Sequence, residues 1–241
     1  MKVNKTYIIR IDTEMSHQYA ADTAKSCEDL GIEYEYYDGY MCSTPEEEHQ
    51  IWSSFNELEG IPLPSYRKMN PRAAGCTMSH LALWKRIFEN RECAVVLEHD
   101  AMMLHPVTID IPSEYIVHLG YKYPDYKTYD AFVAGRPRRI VEMDFAPGSH
   151  AYAITWKMAE WLVHDCKKEG ITEAIDNRHF MHTRAQYTKR KIAMIEPIAA
   201  MGWLRDSTIW GNGSAIHNNT GQMLESFKKN FNAPVMPRDY K

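Results

Sequence analysis

Cys93-Ala94-Val95-Val96-Leu97-Glu98-His99-Asp100 is the stretch from which the fold is read most directly. Its first five residues form an unbroken apolar run, without the alternation of a half-wetted strand, and so describe a short strand covered on both faces. The run stops abruptly in two carboxylates and an imidazole. Carboxylates resist full burial, so this strand must surface at its carboxyl end. If the chain stays extended, Glu98 and Asp100, two residues apart, point to the same side.

Working outward, residues 73 to 91 carry Leu81, Trp84, Ile87 and Phe88 on one face with polar residues opposite, which predicts a helix ahead of the strand, closed by Asn90 and Arg91. At the start of the chain Tyr7-Ile8-Ile9 reads as a buried strand. Ala20, Ala21, Ala24, Cys27 and Leu30 follow at helical spacing, and Gly31 marks a stop. Residues 33 to 37 lead to the turn pair Asp38-Gly39, which completes a β-α-β opening. Residues 40 to 72, with Pro45, Pro62, Pro64 and Pro71, read as a partly helical excursion over the surface. Further strands are predicted at 129–134, 140–143, 150–154 and 192–195, and helices at 157–168 and 175–189. Alternating strands and helices predict an α/β fold whose functional groups gather at the carboxyl ends of strands. One domain is expected over 1–210, with 211–241 as a C-terminal tail or docked arm.

The 241 residues are 44% hydrophobic and 25% charged, with a formal net charge of -4. At this length folding buries roughly 70–75% of the unfolded chain's surface, so a core forms without disulfides or a structural metal. The charge balance argues against a protein that coats nucleic acid. No apolar run reaches the ~20 residues that span a bilayer, and the start lacks a signal-peptide h-region, so a cytoplasmic chain is expected. Five scattered cysteines without a CxxC pair read as reduced thiols.

Among chemistry-bearing residues, Glu98 and Asp100 offer hard oxygen ligands suited to Mg²⁺ or Mn²⁺ beside a phosphate, although an ordinary solvent-facing strand end carries the same residues. His80, His99, His105 and His150 make no recognised ligand spacing, which leaves a metallohydrolase site as a weaker alternative. Arg136, Arg138 and Arg139 are either a solvated turn or a phosphate contact. Ser79-His80 and Ser149-His150 lack the GxSxG elbow of a nucleophilic serine. Trp84 shares the face of Leu81 and Phe88 and reads as core.

Taken in order, Gly75-Cys76-Thr77-Met78-Ser79-His80, Trp84 and Ala94-Val95-Val96-Leu97-Glu98-His99-Asp100-Ala101 resemble the GCxxSHxxxW helix and the Glu-Asp-Asp strand end of glycosyltransferase family 25, which includes lipooligosaccharide and collagen galactosyltransferases. Gly148-Ser149-His150-Ala151-Tyr152, Ile175-Asp176 and Asp206-Ser207 are similar to later family segments in the same order, so the resemblance spans roughly residues 5 to 210. His99 stands where the family usually has Asp, and Thr13-Glu14-Met15-Ser16 replaces an arginine-rich stretch.

The resemblance implies a GT-A-like nucleotide-sugar-binding fold, with a mixed, mostly parallel sheet flanked by helices. It implies an inverting, metal-dependent transfer of a hexose, galactose or glucose, from a UDP-sugar to a glycan acceptor. Mn²⁺ or Mg²⁺ would lie on Asp100, Glu98 and His99. Asp176 would be the general base, with Asp206 the next candidate. Ile9, Ser79, His80, Glu98, Arg136 and Ser207 would line the substrates, and His217 is a further candidate ligand. Membrane contact would be peripheral, through the acceptor. Two other classes stay open: a noncatalytic carbohydrate-binding protein on a decayed transferase fold, using some of the fifteen Tyr and six Trp, and a metal-dependent hydrolase.

Overall fold

The computed structural model describes residues 1–62, 71–103, 106–119, 141–143, 149–171, 174–175, 191–194 and 199–201. In chain order these form β1 (Lys5–Arg10), α1 (Glu14–Glu28), β2 (Glu35–Asp38), α2 (Pro45–Glu59), α3 (Pro71–Glu89), β3 (Cys93–Glu98), β4 (Ala101–Met103), β5 (Tyr115–His118), β6 (Val141–Met143), β7 (Ala151–Thr155), α4 (Trp156–Glu169), β8 (Lys191–Met194) and β9 (Ala199–Met201). The expected strand at 129–134, nearly all of the expected helix at 175–189, the boundary at 210 and the tail 211–241 lie outside the described residues.

Seven strands make one sheet in the order β2-β1-β3-β7-β5-β8-β6, and β4 pairs with β9 separately. The β1–β2, β1–β3 and β5–β8 pairs are parallel, while β7 runs against β3 and β5 and β6 runs against β8. Five of the seven strands therefore point the same way. The sheet is mixed and mostly parallel, and helices flank it, as the family resemblance implies.

The unbroken run in β3 has the cause inferred for it. Ala94 and Val96 pack with Tyr7, Ile9, Tyr152 and Ile154 under α3 and α4, where Met78, Leu81, Trp84, Ile87, Met158 and Leu162 complete the layer. Val95 and Leu97 turn to the opposite face with Ile8, Val117 and Ala153, against Ala20, Ala24 and Cys27 of α1. Alternate residues of the same strand thus serve two cores.

Helix ends are set by local chemistry. Thr13 caps α1 by accepting from the Ser16 N–H at 3.1 Å, and the Ser16 hydroxyl in turn accepts from the Ile11 N–H at 3.0 Å, which fixes the exit from β1. Within 40–72, where the sequence predicts a partly helical excursion, α2 is a regular helix. A reciprocal capping box joins Thr44 and Glu47, Pro45 opens the first turn, and Gly60 ends it at φ 66°, a left-handed conformation that glycine adopts without strain. No helix of the described residues is long and apolar enough to cross a membrane.

Candidate active site

The helix α1 leads from β1 to β2 on one side, and α2 and α3 lead to β3 on the other. Chain direction therefore diverges between the carboxyl ends of β1 and β3, the position at which open α/β sheets hold ligands. Ile9 sits there in register with Glu98 on one side and Tyr37 on the other, and its side chain is buried.

The GCxxSH segment of α3 lies against this edge, and each of its distinctive residues has a separate task. A Cβ on Gly75 would lie 2.7 Å from the Tyr40 carbonyl oxygen and 3.1 Å from the Cys42 nitrogen, so only glycine lets the chain after β2 pass so close. The Ser79 hydroxyl accepts from the Tyr40 N–H at 2.8 Å and donates to the Gly75 carbonyl at 2.7 Å, tying that passage to the helix. A Cβ on Gly39 would meet the Ser79 hydroxyl at 2.6 Å, so this crossing too leaves no room for a side chain.

His80, one position on, points inward. Its Nε2 lies 3.3 Å from Glu98 Oε1 and its Nδ1 2.7 Å from the Tyr152 hydroxyl, which also accepts from Trp84 Nε1–H at 2.8 Å. The same Glu98 oxygen accepts from the Ser149 hydroxyl. An indole N–H only donates, so the Tyr152 oxygen accepts from Trp84 and its own hydrogen turns to His80 Nδ1. The remaining imidazole N–H, on Nε2, then faces the carboxylate. Trp84, Tyr152, His80, Glu98 and Ser149 form one directional chain of donors ending on Glu98. Trp84 is core as expected, with no exposed surface, yet it also opens this chain.

Burial acts to raise the Glu98 pKa, but the contact with His80, the Ser149 hydroxyl and nearby His150 outweigh it and hold the carboxyl at about 2. Burial, reinforced by Glu98 and Cys76 against the pull of the Trp84 N–H, keeps the Tyr152 phenol well above its ordinary value. At neutral pH the edge therefore presents a carboxylate, backed by a neutral phenol.

Beyond Glu98 the chain does not stay extended. Residues 99 and 100 turn into β4, so the alternation that would set Glu98 and Asp100 on one side ends at the strand. Thr23 of α1 causes this: its hydroxyl lies 2.7 Å from the His99 carbonyl oxygen and 2.6 Å from that of Ala101, holding the turn against the helix. The His99 ring stacks on Tyr19, centroids 6.0 Å apart. Glu98, His99 and Asp100 are all half-buried. Among the described residues, the three potential ligand atoms that do come together are those of Cys76, His80 and Glu98, within 4.8 Å of one another.

The structure thus joins His80 and Glu98, and places Ser79 and Ile9 at the same edge. Arg136, Asp176, Asp206, Ser207 and His217 lie outside the described residues. Tyr152 and Ser149 complete the chain to Glu98, a role the sequence does not assign them: Tyr152 stands there only within a motif, and Ser149 only there and in a Ser-His pair without a nucleophile elbow. Their signal is the small polar pair Ser149-His150 at the start of an antiparallel strand that pairs directly with β3.

Residues 3–181 match the model of glycosyltransferase family 25, described as an LPS biosynthesis protein family. No curated protein matches the chain. Among solved structures, the chain is similar to galactosyltransferase LgtC in complex with donor and acceptor sugar analogues, at 11% identity and a TM-score of 0.36, covering 95% of this chain and 100% of that one. An active-site mutant of LgtC shares 13% identity at a TM-score of 0.37, over 92% and 96% of the two chains. The glycosyltransferase GlyE of Streptococcus pneumoniae TIGR4 shares 10% at 0.41, over 95% and 64%. These likenesses are loose, and it is the match over residues 3–181, which include the helix and strand built around Gly75, Ser79, His80 and Glu98, that makes the chain a member of glycosyltransferase family 25.

Proposed function

We propose that this glycosyltransferase is an inverting, metal-dependent hexosyltransferase of GT-A type that moves galactose or glucose from a UDP-sugar to a glycan acceptor. What supports the reading is Glu98, a carboxylate held ionised where β1 and β3 diverge, at the edge where the nucleotide-sugar would lie. A Mn²⁺ or Mg²⁺ ion is compatible with an ionised oxygen ligand there, and Glu98 would hold it; Asp100 and His99 of the adjoining turn would join it only on a shift of that turn, since their ligand atoms do not gather with that of Glu98. When bound, the cation would offset the negative charge that develops on the departing diphosphate.

The residues of the chain then divide the remaining work. Ser79 fixes the passage after β2 that would border the donor, next to Ile9, and His80 holds Glu98 in orientation. Arg136 would contact the diphosphate, and Asp206 and Ser207 would flank the substrates. Asp176 takes the proton of the acceptor hydroxyl as that oxygen attacks the anomeric carbon from the face opposite the leaving nucleoside diphosphate, which inverts the centre. Ile175, its neighbour, is buried, and its N–H donates to the Thr77 hydroxyl of α3 at 3.1 Å, which anchors the chain one residue before Asp176 on the helix that carries His80.

The test is a thermal-shift series with UDP-, GDP- and CMP-sugars, each with and without Mn²⁺, followed by transfer assays. A UDP-hexose should raise the melting temperature, and more so with the metal, since a ligand of the native state stabilises it by mass action. Asp176→Asn should keep that shift and lose ~10²–10⁴ in transfer rate. No shift with any UDP-sugar, or release of free sugar as fast without acceptor as with it, overturns the reading.

A further inference from the structure

Cys76 and His80 stand four residues apart on α3, one helical turn, and so share a face. Glu98 reaches the same place from the end of β3. Around Zn²⁺, with about 2.3 Å to sulfur and about 2.0–2.1 Å to nitrogen or oxygen, ligand atoms sit roughly 3.3–3.7 Å from one another. His80 Nε2 and Glu98 Oε1 are already 3.3 Å apart, and all three ligand atoms fall within 4.8 Å, so side-chain adjustment alone closes the set.

We propose that Cys76, His80 and Glu98 form a binding site for a thiophilic divalent cation of the Zn²⁺ class, distinct in chemistry from an oxygen-ligated Mn²⁺ or Mg²⁺ site. Thiolate and imidazole ligands select borderline-soft metals over hard ones. The surroundings are those of a metal-binding histidine, because the ring nitrogen away from the metal has a fixed partner in the Tyr152 hydroxyl, itself held by Trp84. Without metal, Tyr152 donates to Nδ1 and Nε2–H faces Glu98. On binding, His80 stays neutral and its proton moves from Nε2 to Nδ1, which donates to the Tyr152 oxygen; that oxygen then accepts from both Nδ1–H and the Trp84 Nε1–H, and its own O–H turns away from the imidazole. Nε2 then gives its lone pair to the cation, and the Cys76 thiol releases its proton to solvent. Loading the site replaces the His80–Glu98 hydrogen bond, so the cation and that bond are alternatives. The proposal needs no sugar donor, but it shares Glu98 with the oxygen-ligated site of the transferase reading, so the two cations would compete for that carboxylate.

The other four cysteines, Cys27, Cys42, Cys93 and Cys166, are buried, whereas Cys76 is partly exposed, which makes its thiol separable in an experiment. The full chain, reduced and stripped with a chelator, is titrated with Co²⁺ and followed by absorption. A thiolate-to-cobalt charge-transfer band should grow to saturation at one equivalent, bleach on addition of Zn²⁺, and be missing in Cys76→Ser. Tyr152→Phe should weaken Co²⁺ binding about 10–100-fold, the usual cost of losing the partner of a ligating histidine. A second measurement uses the unaltered protein: one equivalent of Zn²⁺ should slow carboxymethylation of Cys76 at least tenfold, read by mass spectrometry. No thiolate band, a band that persists in Cys76→Ser, or alkylation of Cys76 unaffected by Zn²⁺ would overturn the proposal. None of these measurements contains a nucleotide-sugar, so a failed donor screen and a failed metal titration are told apart.

Discussion

At Glu98 a single carboxyl shows how burial and partners compete. Removal from water alone would push its pKa up, and His80, Ser149 and His150 reverse the sign, bringing it from the ordinary 4.5 to about 2. Because the folded value lies below the unfolded one, Glu98 contributes stability in full above about pH 4.5, and that contribution is lost as the pH falls towards 2. A ¹³C-detected carboxyl titration should find Glu98 still ionised at pH 4. In His80→Ala, which removes the strongest of the contacts that lower it, the midpoint should rise towards or past the ordinary value. A Glu98 midpoint that does not move in His80→Ala would show that the imidazole is a neighbour and not the cause. The presence of a carboxylate here is legible in the sequence, because a buried strand that ends in Glu announces its own exit to solvent. Its environment is not legible: Tyr152 and Trp84 are 68 residues apart, and Tyr152 and His80 are 72, so no local pattern links them.

The elements divide in the same way between local and long-range causes. The helical spacing of Leu81, Trp84 and Ile87 and the unbroken run of β3 express burial, so α3 and β3 appear in the sequence close to their true extent. The strand β5 is only four residues long, between Pro112 and a segment outside the described residues, and pairs with β7 and β8 far along the chain, so periodicity has too little length to register it. The helix α2 does carry a local signature, Thr44-Pro45 with Glu47, but the surrounding prolines obscure it. Gly75 tests whether the packing of α3 against the chain after β2 is as tight as its geometry says. In an open helical position alanine would stabilise by about 1 kcal/mol relative to glycine. Here the new methyl would meet two backbone atoms of Tyr40 and Cys42, which cannot swing aside as a side chain can. Overpacking of this kind costs about 1–3 kcal/mol, enough to cancel or exceed the propensity gain. Gly75→Ala should therefore melt at the same temperature or a few degrees lower, and a clear rise in melting temperature would mean that the passage is looser than described.

Across the whole molecule the two edges of the sheet have opposite character. At the amino edge, polar groups serve to close the fold. The Tyr7 hydroxyl donates to Glu92 at 2.7 Å, Lys5 and Arg86 both pair with Glu35, the Asn4 side chain accepts from the Cys93 N–H at 2.9 Å, and the terminal amine donates to the Ile111 carbonyl at 2.6 Å. At the carboxyl edge, Asp12 and Asp38 are exposed, Glu98, His99 and Asp100 half-buried, and the passage over Gly39 to Cys42 is pinned to α3. This asymmetry follows from the parallel strands β1, β2 and β3, which put the returns into them at one edge and the departures from them at the other; antiparallel β7, which enters α4 at the amino edge, is the exception. It predicts where a donor acts. In hydrogen-exchange mass spectrometry, saturating UDP-hexose with Mn²⁺ should slow exchange in segments 10–13, 39–42 and 98–101. Segments 3–6 and 90–93 at the amino edge should exchange as before, because the amides of Asn4 and of Asn90 to Cys93 are already hydrogen-bonded and both segments lie at the far ends of the same strands. Global stabilisation without a local site would instead slow both edges in proportion to their opening through unfolding. Protection confined to the amino edge would place the nucleotide-sugar on the wrong side of the sheet for Glu98, and with it would fall the assignment of the carboxyl edge as the site of transfer.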